Sequence, residues 1–220
     1  MLLDRRQFLK RALLLSGVAA AAGAAGYSIH SNIMEVTQHL LTGILPKGQM
    51  LKIAVVSDFH APRSFVNPNE LAALVNEAEC DALFIVGDTI DDSANLKLVP
   101  RLFENIKVSG SKFAVLGNWE HWSSVDLASL SDAYDAANVQ LLVNEGSTLE
   151  LESNQTTILG LDDLVGGEPD FELVESAEGF RIVLTHCPAS FDHLRQLPEE
   201  TLVLSGHTAS YSCPGDWGIQ

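Results

Sequence analysis

Side chains that can bind a metal ion follow directly after short apolar runs of the sequence. Five runs end in polar segments, which are Ser57-Asp58-Phe59-His60, Gly87-Asp88-Thr89-Ile90-Asp91, Gly117-Asn118-Trp119-Glu120-His121, Thr185-His186 and Gly206-His207. Carboxylates, a carboxamide oxygen and neutral imidazoles are ligands that suit Mn²⁺, Fe²⁺ or Zn²⁺. The three cysteines supply no thiolate cluster for a structural zinc site. The pattern therefore favours a catalytic metal centre with oxygen and nitrogen ligands.

The number of candidate ligands exceeds what one catalytic ion needs when it keeps a position open for water. The candidates are Asp58, His60, Asp88, Asn118, His186 and His207. Two ions that share a carboxylate fit this number better. Such a pair, about 3.5–4 Å apart, lowers the pKa of a bridging water and holds both oxygens of an in-line displacement at phosphorus. The residues therefore predict hydrolysis of a phosphate ester or anhydride by an activated hydroxide.

The elements that must position these side chains alternate between β-type runs and amphipathic helical stretches. Strands are predicted at residues 52–56, 82–86, 112–116, 181–184 and 201–204, with a strand meander over 139–143, 148–151 and 156–161. Helices are predicted from residue 67 onward and near 96–106, 125–137 and 191–197. This alternation indicates an α/β domain with antiparallel additions. In such folds functional groups gather outside the carboxyl ends of the strands, where all five polar segments are expected.

The charge balance excludes one class of partner. The 220 residues include 13 Lys and Arg against 29 Asp and Glu, which gives a net charge of −16. A chain this acidic repels a nucleic-acid backbone, and no basic stripe offsets the repulsion. We therefore expect no nucleic-acid partner.

The first thirty residues have the features of an export signal. Arg5, Arg6, Lys10 and Arg11 precede residues 12–29, which carry no charge. The segment Arg5-Arg6-Gln7-Phe8-Leu9-Lys10 resembles the twin-arginine motif, which implies the twin-arginine export machinery as a partner. The expected location is the periplasm, the cell wall or the outer face of the cytoplasmic membrane. Cleavage of the segment and its retention as a membrane anchor both stay open, and the alternative is an ordinary buried N-terminal helix.

In this order the polar segments resemble the calcineurin-like metallophosphoesterase family. Its signature runs Asp-x-His, Gly-Asp-x-x-Asp, Gly-Asn-His-Asp/Glu, a lone His and Gly-His-x-His, and the match extends from residue 51 to about residue 208. The resemblance implies a four-layer α-β-β-α sandwich, with helices outside two facing mixed sheets. It also implies two divalent metal ions. The implied ligands are Asp58 and His60 for the first ion, Asp88 as the bridge, and Asn118, His186 and His207 for the second, with Asp91 orienting a ligand or a loop.

The sequence departs from the family pattern at three places. Trp119 stands where the family has a His credited with protonating the leaving group or steadying the phosphate; His121 is the candidate acid instead. Ala209 stands where the family has a further His, a ligand of the first metal. The chain ends at Gln220, whereas family members continue through further strands. We therefore expect a signal or anchor over 1–30, a connecting segment over 31–50, and a metallophosphoesterase domain over 51–220 that is incomplete at its C-terminal end.

The expected function is an exported, metal-dependent hydrolase of phosphate esters or pyrophosphates. The alternative is a non-catalytic or weakly active exported domain that binds a metal ion or a phosphate ligand. A phosphomonoester, a phosphodiester and a lipid-linked or nucleotide pyrophosphate all stay open as substrates, with specificity expected in loops 61–67 and 164–171. Taken singly, Asp58, Asp88 and Asn118 could also cap helices or shape turns. Asp162 and Asp163, adjacent on a loop, are expected to be solvated.

Overall fold

The strands belong to two β-sheets. The computed structural model describes residues 37–41, 45, 50–63, 66–151, 154–194, 200–207, 210–213 and 216–219. The predicted export signal, most of the connecting segment and Ala209 lie outside the described residues, so what was expected of them stays a prediction. All strands and helices reported below belong to one compact unit, residues 39–63 and 67–220. The other unit, residues 1–38 and 64–66, falls almost wholly outside the described residues.

The first sheet is parallel and has the strand order β1-β2-β3-β4. Its strands are β1 (Ile53–Val56), β2 (Ala82–Val86), β3 (Lys112–Val115) and β4 (Val139–Leu141). Val56 lies opposite Ile85, and Val86 lies opposite Val115. Because neighbouring parallel strands end at the same edge of a sheet, the segments after β1, β2 and β3 are brought side by side.

The second sheet is mixed and has the order β10-β9-β8-β7-β6-β5. Its strands are β5 (Glu145–Leu151), β6 (Asn154–Gly160), β7 (Arg181–Thr185), β8 (Thr201–Ser205), β9 (Ser210–Cys213) and β10 (Asp216–Ile219). Strands β6, β7 and β8 are parallel, and the remaining pairs are antiparallel. The meander predicted over residues 139–161 is wrong for its first strand. β4 pairs in parallel with β3 in the first sheet, and a hairpin of β5 and β6 begins the second.

Short helices connect the strands. They are α1 (Pro68–Ala78), α2 (Leu98–Phe103), α3 (Asn118–Trp122), α4 (Leu127–Asp135) and α5 (Glu172–Glu175), with 3-10 helices at Ser93–Asn95 and Pro188–Asp192. Asn67 and Asp126 cap α1 and α4 by accepting hydrogen bonds from the backbone two and three residues on. Of the helix expected near 191–197, residues 195–197 lie outside the described residues, and its described start overlaps the 3-10 helix that ends at Asp192. None of the helices in the described ranges has both the length and the apolar character to span a membrane.

The main core lies between the two sheets. Phe84, Val86 and Val115 of the first sheet pack with Ile182 and Leu184 of the second, and all are buried. On the outer face of the first sheet, Lys112 Nζ donates to the carbonyls of Phe103 and Ala137 at 3.0 Å each, where α2 and α4 end. On the outer face of the second sheet, Val183 and Val203 pack with Val174 of α5. The predicted α/β class and the four-layer α-β-β-α sandwich are therefore confirmed.

Candidate metal centre

Four of the predicted ligands converge at the carboxyl ends of separate strands. Asp58 follows β1, Asp88 follows β2, His186 follows β7 and His207 follows β8. One ligand atom from each of these residues lies within 4.8 Å of the others. The two sheets therefore deliver two carboxylates and two imidazoles to one point.

Asp88 is the buried carboxylate of this group. Its side chain is 1% exposed, and its Oδ2 lies 3.1 Å from His186 Nε2 and 3.7 Å from His60 Nε2. Its Oδ1 accepts the backbone N–H of Trp119 at 2.9 Å. Burial alone would raise the pKa of Asp88, but His186, the Trp119 N–H and His60 lower it below its ordinary value. Asp88 is therefore a charged carboxylate that faces both histidines.

His60 is oriented by a second carboxylate. Its Nδ1 lies 2.7 Å from Asp91 Oδ1, so Nε2 faces Asp58 and Asp88, 3.8 Å from Asp58 Oδ1. A carboxylate on the far ring nitrogen fixes the orientation of a metal-binding imidazole and increases its basicity. Asp91 thus has the contact that the family resemblance implied for it.

His186 has no exposed surface, and its two ring nitrogens have different partners. Nδ1 lies 2.8 Å from the carbonyl oxygen of Val86, while Nε2 faces Asp88. Burial would lower the pKa of His186, but Asp88 and the Val86 carbonyl raise it to about 9. The metal-free imidazole is therefore charged at neutral pH, and a cation that binds Nε2 displaces a proton.

Asn118 and His207 are the other two ligands that were predicted, with His186, for the second metal ion. Asn118 begins α3 beside Trp119, is 3% exposed, and its Oδ1 has no hydrogen-bond partner in the described part of the chain. His207 is exposed; its backbone N–H donates to Asp58 Oδ2 at 3.0 Å, and its ring lies edge-on to His186 with centroids 5.3 Å apart.

The donor set fits a divalent ion. His186 Nε2 and Asp88 Oδ2 are close, yet Nε2 makes no well-aligned hydrogen bond to any residue that the structure describes. Two ligand atoms bound at about 2.1 Å and a right angle would lie about 3.0 Å apart. A buried amide oxygen without a partner, as in Asn118, is costly unless something binds it.

Unusual backbone conformations are concentrated at this centre. Asp58, His60, Asp88 and His207 have positive φ values of 59°, 46°, 54° and 59°. Non-glycine residues rarely adopt this left-handed region, and such strain clusters at functional sites. Gly87 has φ of +79°, and a Cβ there would lie 2.5 Å from His186 Nδ1. The close approach of the β2 turn to His186 therefore requires glycine.

His121 is paired with a carboxylate from the loop after β6. Its Nε2 lies 2.6 Å from Asp162 Oδ1, and its role as an acid stays a prediction. The expectation that Asp162 and Asp163 are solvated is wrong, since they are 8% and 0% exposed. Their carboxylates accept backbone N–H groups of their own loop, including those of Val165 and Gly166 at 2.8 and 2.6 Å from Asp163 Oδ2.

Glu120 holds the turns after β2 and β3 together, a role that the sequence interpretation did not assign. Its Oε1 accepts the N–H groups of Thr89 and Ile90, and its Oε2 accepts those of Asp88 and Gly117, at 2.6–3.2 Å. Burial, together with the nearby Asp88 carboxylate, raises the pKa of Glu120, which is 2% exposed, while the N–H groups of Gly117, Ile90 and Thr89 oppose that shift. The position of a Glu three residues after a helix N-cap is the available sequence signal, because it is the capping-box spacing.

Comparison with known proteins identifies a protein family and several relatives that this chain resembles. The sequence profile of the calcineurin-like phosphoesterase family matches residues 51–211. A Bacillus subtilis protein described as the uncharacterized metallophosphoesterase YkuE is 29% identical, over 94% of this chain and 77% of its own length. The Escherichia coli phosphodiesterase YaeI is 24% identical, over 94% of this chain and 78% of its own length. The solved structure of Haemophilus influenzae NAD nucleotidase matches 72% of this chain and 43% of its own, at 13% identity and a TM-score of 0.49.

The family profile covers most of the chain, and it spans every strand end described above from Asp58 to His207. The four-layer topology and the Asp and His residues at those strand ends agree with it. The chain belongs to the calcineurin-like metallophosphoesterase family.

Proposed function

We propose that the chain is a metal-dependent hydrolase of phosphate esters or pyrophosphates. The observation that carries the proposal is the convergence of Asp58, Asp88, His186 and His207 within 4.8 Å at the ends of four strands. Family membership supports the hydrolase class. The E. coli relative is named a phosphodiesterase, which makes a diester one of the substrates to test first.

Two divalent ions, Mn²⁺, Fe²⁺ or Zn²⁺ by donor type, are proposed as cofactors. The proposed ligands are Asp58 and His60 for one ion, Asp88 for both, and Asn118, His186 and His207 for the other. When bound, such a pair makes water nucleophilic at neutral pH and stabilises charge on phosphoryl oxygens. The chain itself supplies the orientation: Asp91 fixes the His60 ring, and the Val86 carbonyl fixes the His186 ring.

His121 is proposed to protonate the leaving oxygen as its bond to phosphorus breaks. Asp162 engages its Nε2, so Nδ1 is the ring nitrogen that would give up the proton. His121 lies one helical turn after Asn118 in α3, which places the two residues on the same side of that helix.

A domain that binds one ion without turnover is the second candidate. Asp58, Asp88, His186 and His207 by themselves match the four ligands of a single tetrahedral ion. Ala209 stands where the family has a further His for the other ion, which also favours one-ion binding.

Metal analysis combined with turnover of an aryl phosphate and the corresponding diaryl phosphate tests the proposal. We expect two equivalents of metal per chain and turnover of at least one of these substrates. One equivalent without turnover would support the binding domain, and a protein that takes up no metal would contradict both functions.

The proton-donor role is tested in the same assay with the His121→Ala variant. We expect kcat to fall about 10²-fold or more, and to fall further with a poorer leaving group, because general acid catalysis contributes about 10²–10⁴-fold. Full turnover by this variant would exclude His121 as the acid.

Export through the twin-arginine machinery is the remaining part of the proposal. It is supported by Arg5 and Arg6 ahead of an uncharged segment of the sequence. Cell-envelope phosphates, including lipid-linked ones, are then candidate substrates. Cell fractionation tests this: the whole chain should reach the envelope, and the Arg5→Lys, Arg6→Lys double variant should stay inside. Equal distribution of the two proteins would contradict export by this route.

A further inference from the structure

Trp119, which replaces the family's histidine, joins the metal centre to an arginine. Its ring lies edge-on to the ring of His60, with centroids 5.7 Å apart at 87°. The guanidinium carbon of Arg63 lies 5.1 Å from the centroid of the Trp119 ring. This is within the range of a cation–π contact, for which tryptophan is the best side chain. The tryptophan that departs from the family pattern therefore contacts the Arg63 guanidinium with the face of its ring.

Arg63 is also held by Asp91. Its Nε lies 2.9 Å from Asp91 Oδ2, in an ion pair whose N–H does not point at the oxygen. The other oxygen of Asp91 binds His60, and the carboxyl group is 4% exposed. The backbone N–H of Arg63 donates to the carbonyl of His60 at 2.7 Å. The arginine is thus fixed three residues beyond a proposed metal ligand and shares a carboxylate with it.

The outer part of the Arg63 side chain is open to a ligand. The side chain is 67% exposed, although Asp91 and Trp119 contact it. A guanidinium carries five N–H donors in a planar fork that matches phosphate oxygens. Among the described residues, Asp91 is paired with Nε, so the two terminal nitrogens are left for bidentate binding of a ligand.

The net charge of the metal centre determines which phosphate groups benefit from the Arg63 cation. Asp58, Asp88 and Asp91 offset three of the four positive charges that two divalent ions would bring. The phosphoryl group of a phosphomonoester carries close to two negative charges at neutral pH, because the second pKa of such a group is about 6. A diester carries one. An additional cation beside the centre therefore benefits the doubly charged group more.

We propose that Arg63, supported by Trp119 and Asp91, binds a non-bridging oxygen of the substrate's terminal phosphoryl group. Arg63 then steadies the phosphate, one of the two roles credited to the histidine that Trp119 replaces. This inference rests on the proposed function and narrows it to substrates with a terminal, doubly charged phosphoryl group. Arg63 is the substrate-binding residue, and Trp119 is its positioning residue.

The test compares Arg63→Ala and Arg63→Lys with wild type, each loaded with Mn²⁺, on an aryl phosphate and the corresponding diaryl phosphate. We expect kcat/KM for the monoester to fall about 10- to 100-fold in Arg63→Ala, the loss of one charge-assisted contact. The diester should lose less than about 3-fold, because it lacks the second charge. The inhibition constant of inorganic phosphate should rise in parallel with the monoester loss, while metal content stays at the wild-type value. Arg101→Ala, an exposed arginine on α2, is the matched control and should change none of these quantities.

Variants at Trp119 test whether its ring positions the Arg63 side chain. Trp119→Phe keeps an aromatic face and should retain most of the monoester activity, whereas Trp119→Ala should resemble Arg63→Ala. The Ala–Ala double variant should lose little more than either single variant, because residues that act together are not additive. Trp119→His in the Arg63→Ala background should recover monoester turnover, since it restores the family's residue.

If wild type is active, three outcomes would overturn the inference. The first is equal loss on monoester and diester. The second is an Arg63→Ala variant with wild-type kcat/KM and phosphate inhibition, which would leave the hydrolase function standing. The third is loss of metal in Arg63→Ala and Arg63→Lys alike, which would mean that Arg63 acts only through Asp91 and His60.

If wild type itself turns over neither substrate, the proposed function fails, and calorimetric binding of phosphate to the Mn²⁺-loaded proteins tests the inference about Arg63. Weaker phosphate binding by Arg63→Ala than by wild type supports the inference. Equal or undetectable phosphate binding overturns it.

Discussion

The Asp88→Asn variant is expected to lose at least one equivalent of bound metal and to lower kcat/KM by about 10³-fold or more. Asp88 is the one proposed ligand whose Oδ2 faces the ring nitrogens of both His60 and His186, at 3.7 and 3.1 Å. Asparagine keeps the shape and can still accept the Trp119 N–H, but it removes the negative charge. A loss of about 4 kcal/mol in transition-state stabilisation, of the size attributed to metal activation, corresponds to this factor.

Asp163→Asn is the matched control for this experiment. Asp163 is a carboxylate with no exposed surface that accepts backbone N–H groups of the loop after β6. It is not among the converging ligands. Its replacement is expected to lower the free energy of unfolding while metal content and turnover per folded chain stay close to wild type. Wild-type metal content in Asp88→Asn, measured on folded protein, would show that Asp88 is not a ligand.

In the metal-free protein, Asp88→Asn is also expected to change the pKa of His186. Asp88 is a main reason why the pKa of His186 is raised to about 9. Without that carboxylate, the pKa of His186 is expected to fall, because burial opposes the charged ring and only the Val86 carbonyl and Asp58 still favour it. A histidine pKa that falls in the metal-free variant, followed by NMR, would show that the two side chains interact as the structure places them.

The strand ends could be predicted from the sequence because the signals are local. Each apolar run of four or five residues ends in Asp, Asn or His, and consecutive parallel strands end at one edge. The sequence therefore identified Asp58, Asp88, His186 and His207 as neighbours although they are far apart along the chain. Parallel order within each sheet brings Asp58 beside Asp88 and His186 beside His207, and the packing of the two sheets against each other brings these two pairs within 4.8 Å.

The errors arise where the outcome depends on contacts between distant residues. β4 is only three residues long and its sequence does not specify which sheet it joins, yet it pairs in parallel with β3 in the first sheet. Asp162 and Asp163 resemble a solvated loop in sequence, yet their carboxylates accept backbone donors of the loop and one contacts His121. Arg63 stacks on Trp119 across 56 positions of sequence, and no local pattern predicts that contact.

Glu120 shows how a residue with a local signal can have a non-local role. Its place in the third polar segment suggests a capping residue for α3, and it does accept the N–H of Gly117. The three further donors, Asp88, Thr89 and Ile90, belong to the turn after β2. One buried carboxylate therefore fixes the position of the turn that carries Asp88 relative to the turn that carries Asn118.

Replacing Glu120 with alanine is accordingly expected to lower the free energy of unfolding by about 3–5 kcal/mol. The variant leaves four buried backbone N–H groups without their acceptor, and an unsatisfied buried donor costs about 1–3 kcal/mol before the loops relax. Glu120→Gln should cost less, because its amide oxygen still accepts from one turn while its NH₂ group faces the donors of the other. Urea denaturation of the metal-free proteins measures both values.

The exposed Glu77 on α1 provides the control, because Glu77→Ala should change the free energy of unfolding by no more than about 0.5 kcal/mol. A second measurement separates a general loss of stability from loss of the turn geometry. At a temperature where Glu120→Gln is fully folded, its affinity for Mn²⁺ should still fall, because the Asp88 turn is no longer fixed against Asn118. Unchanged affinity in that folded variant would mean that the turns hold their positions without Glu120, and that its carboxylate contributes to stability alone.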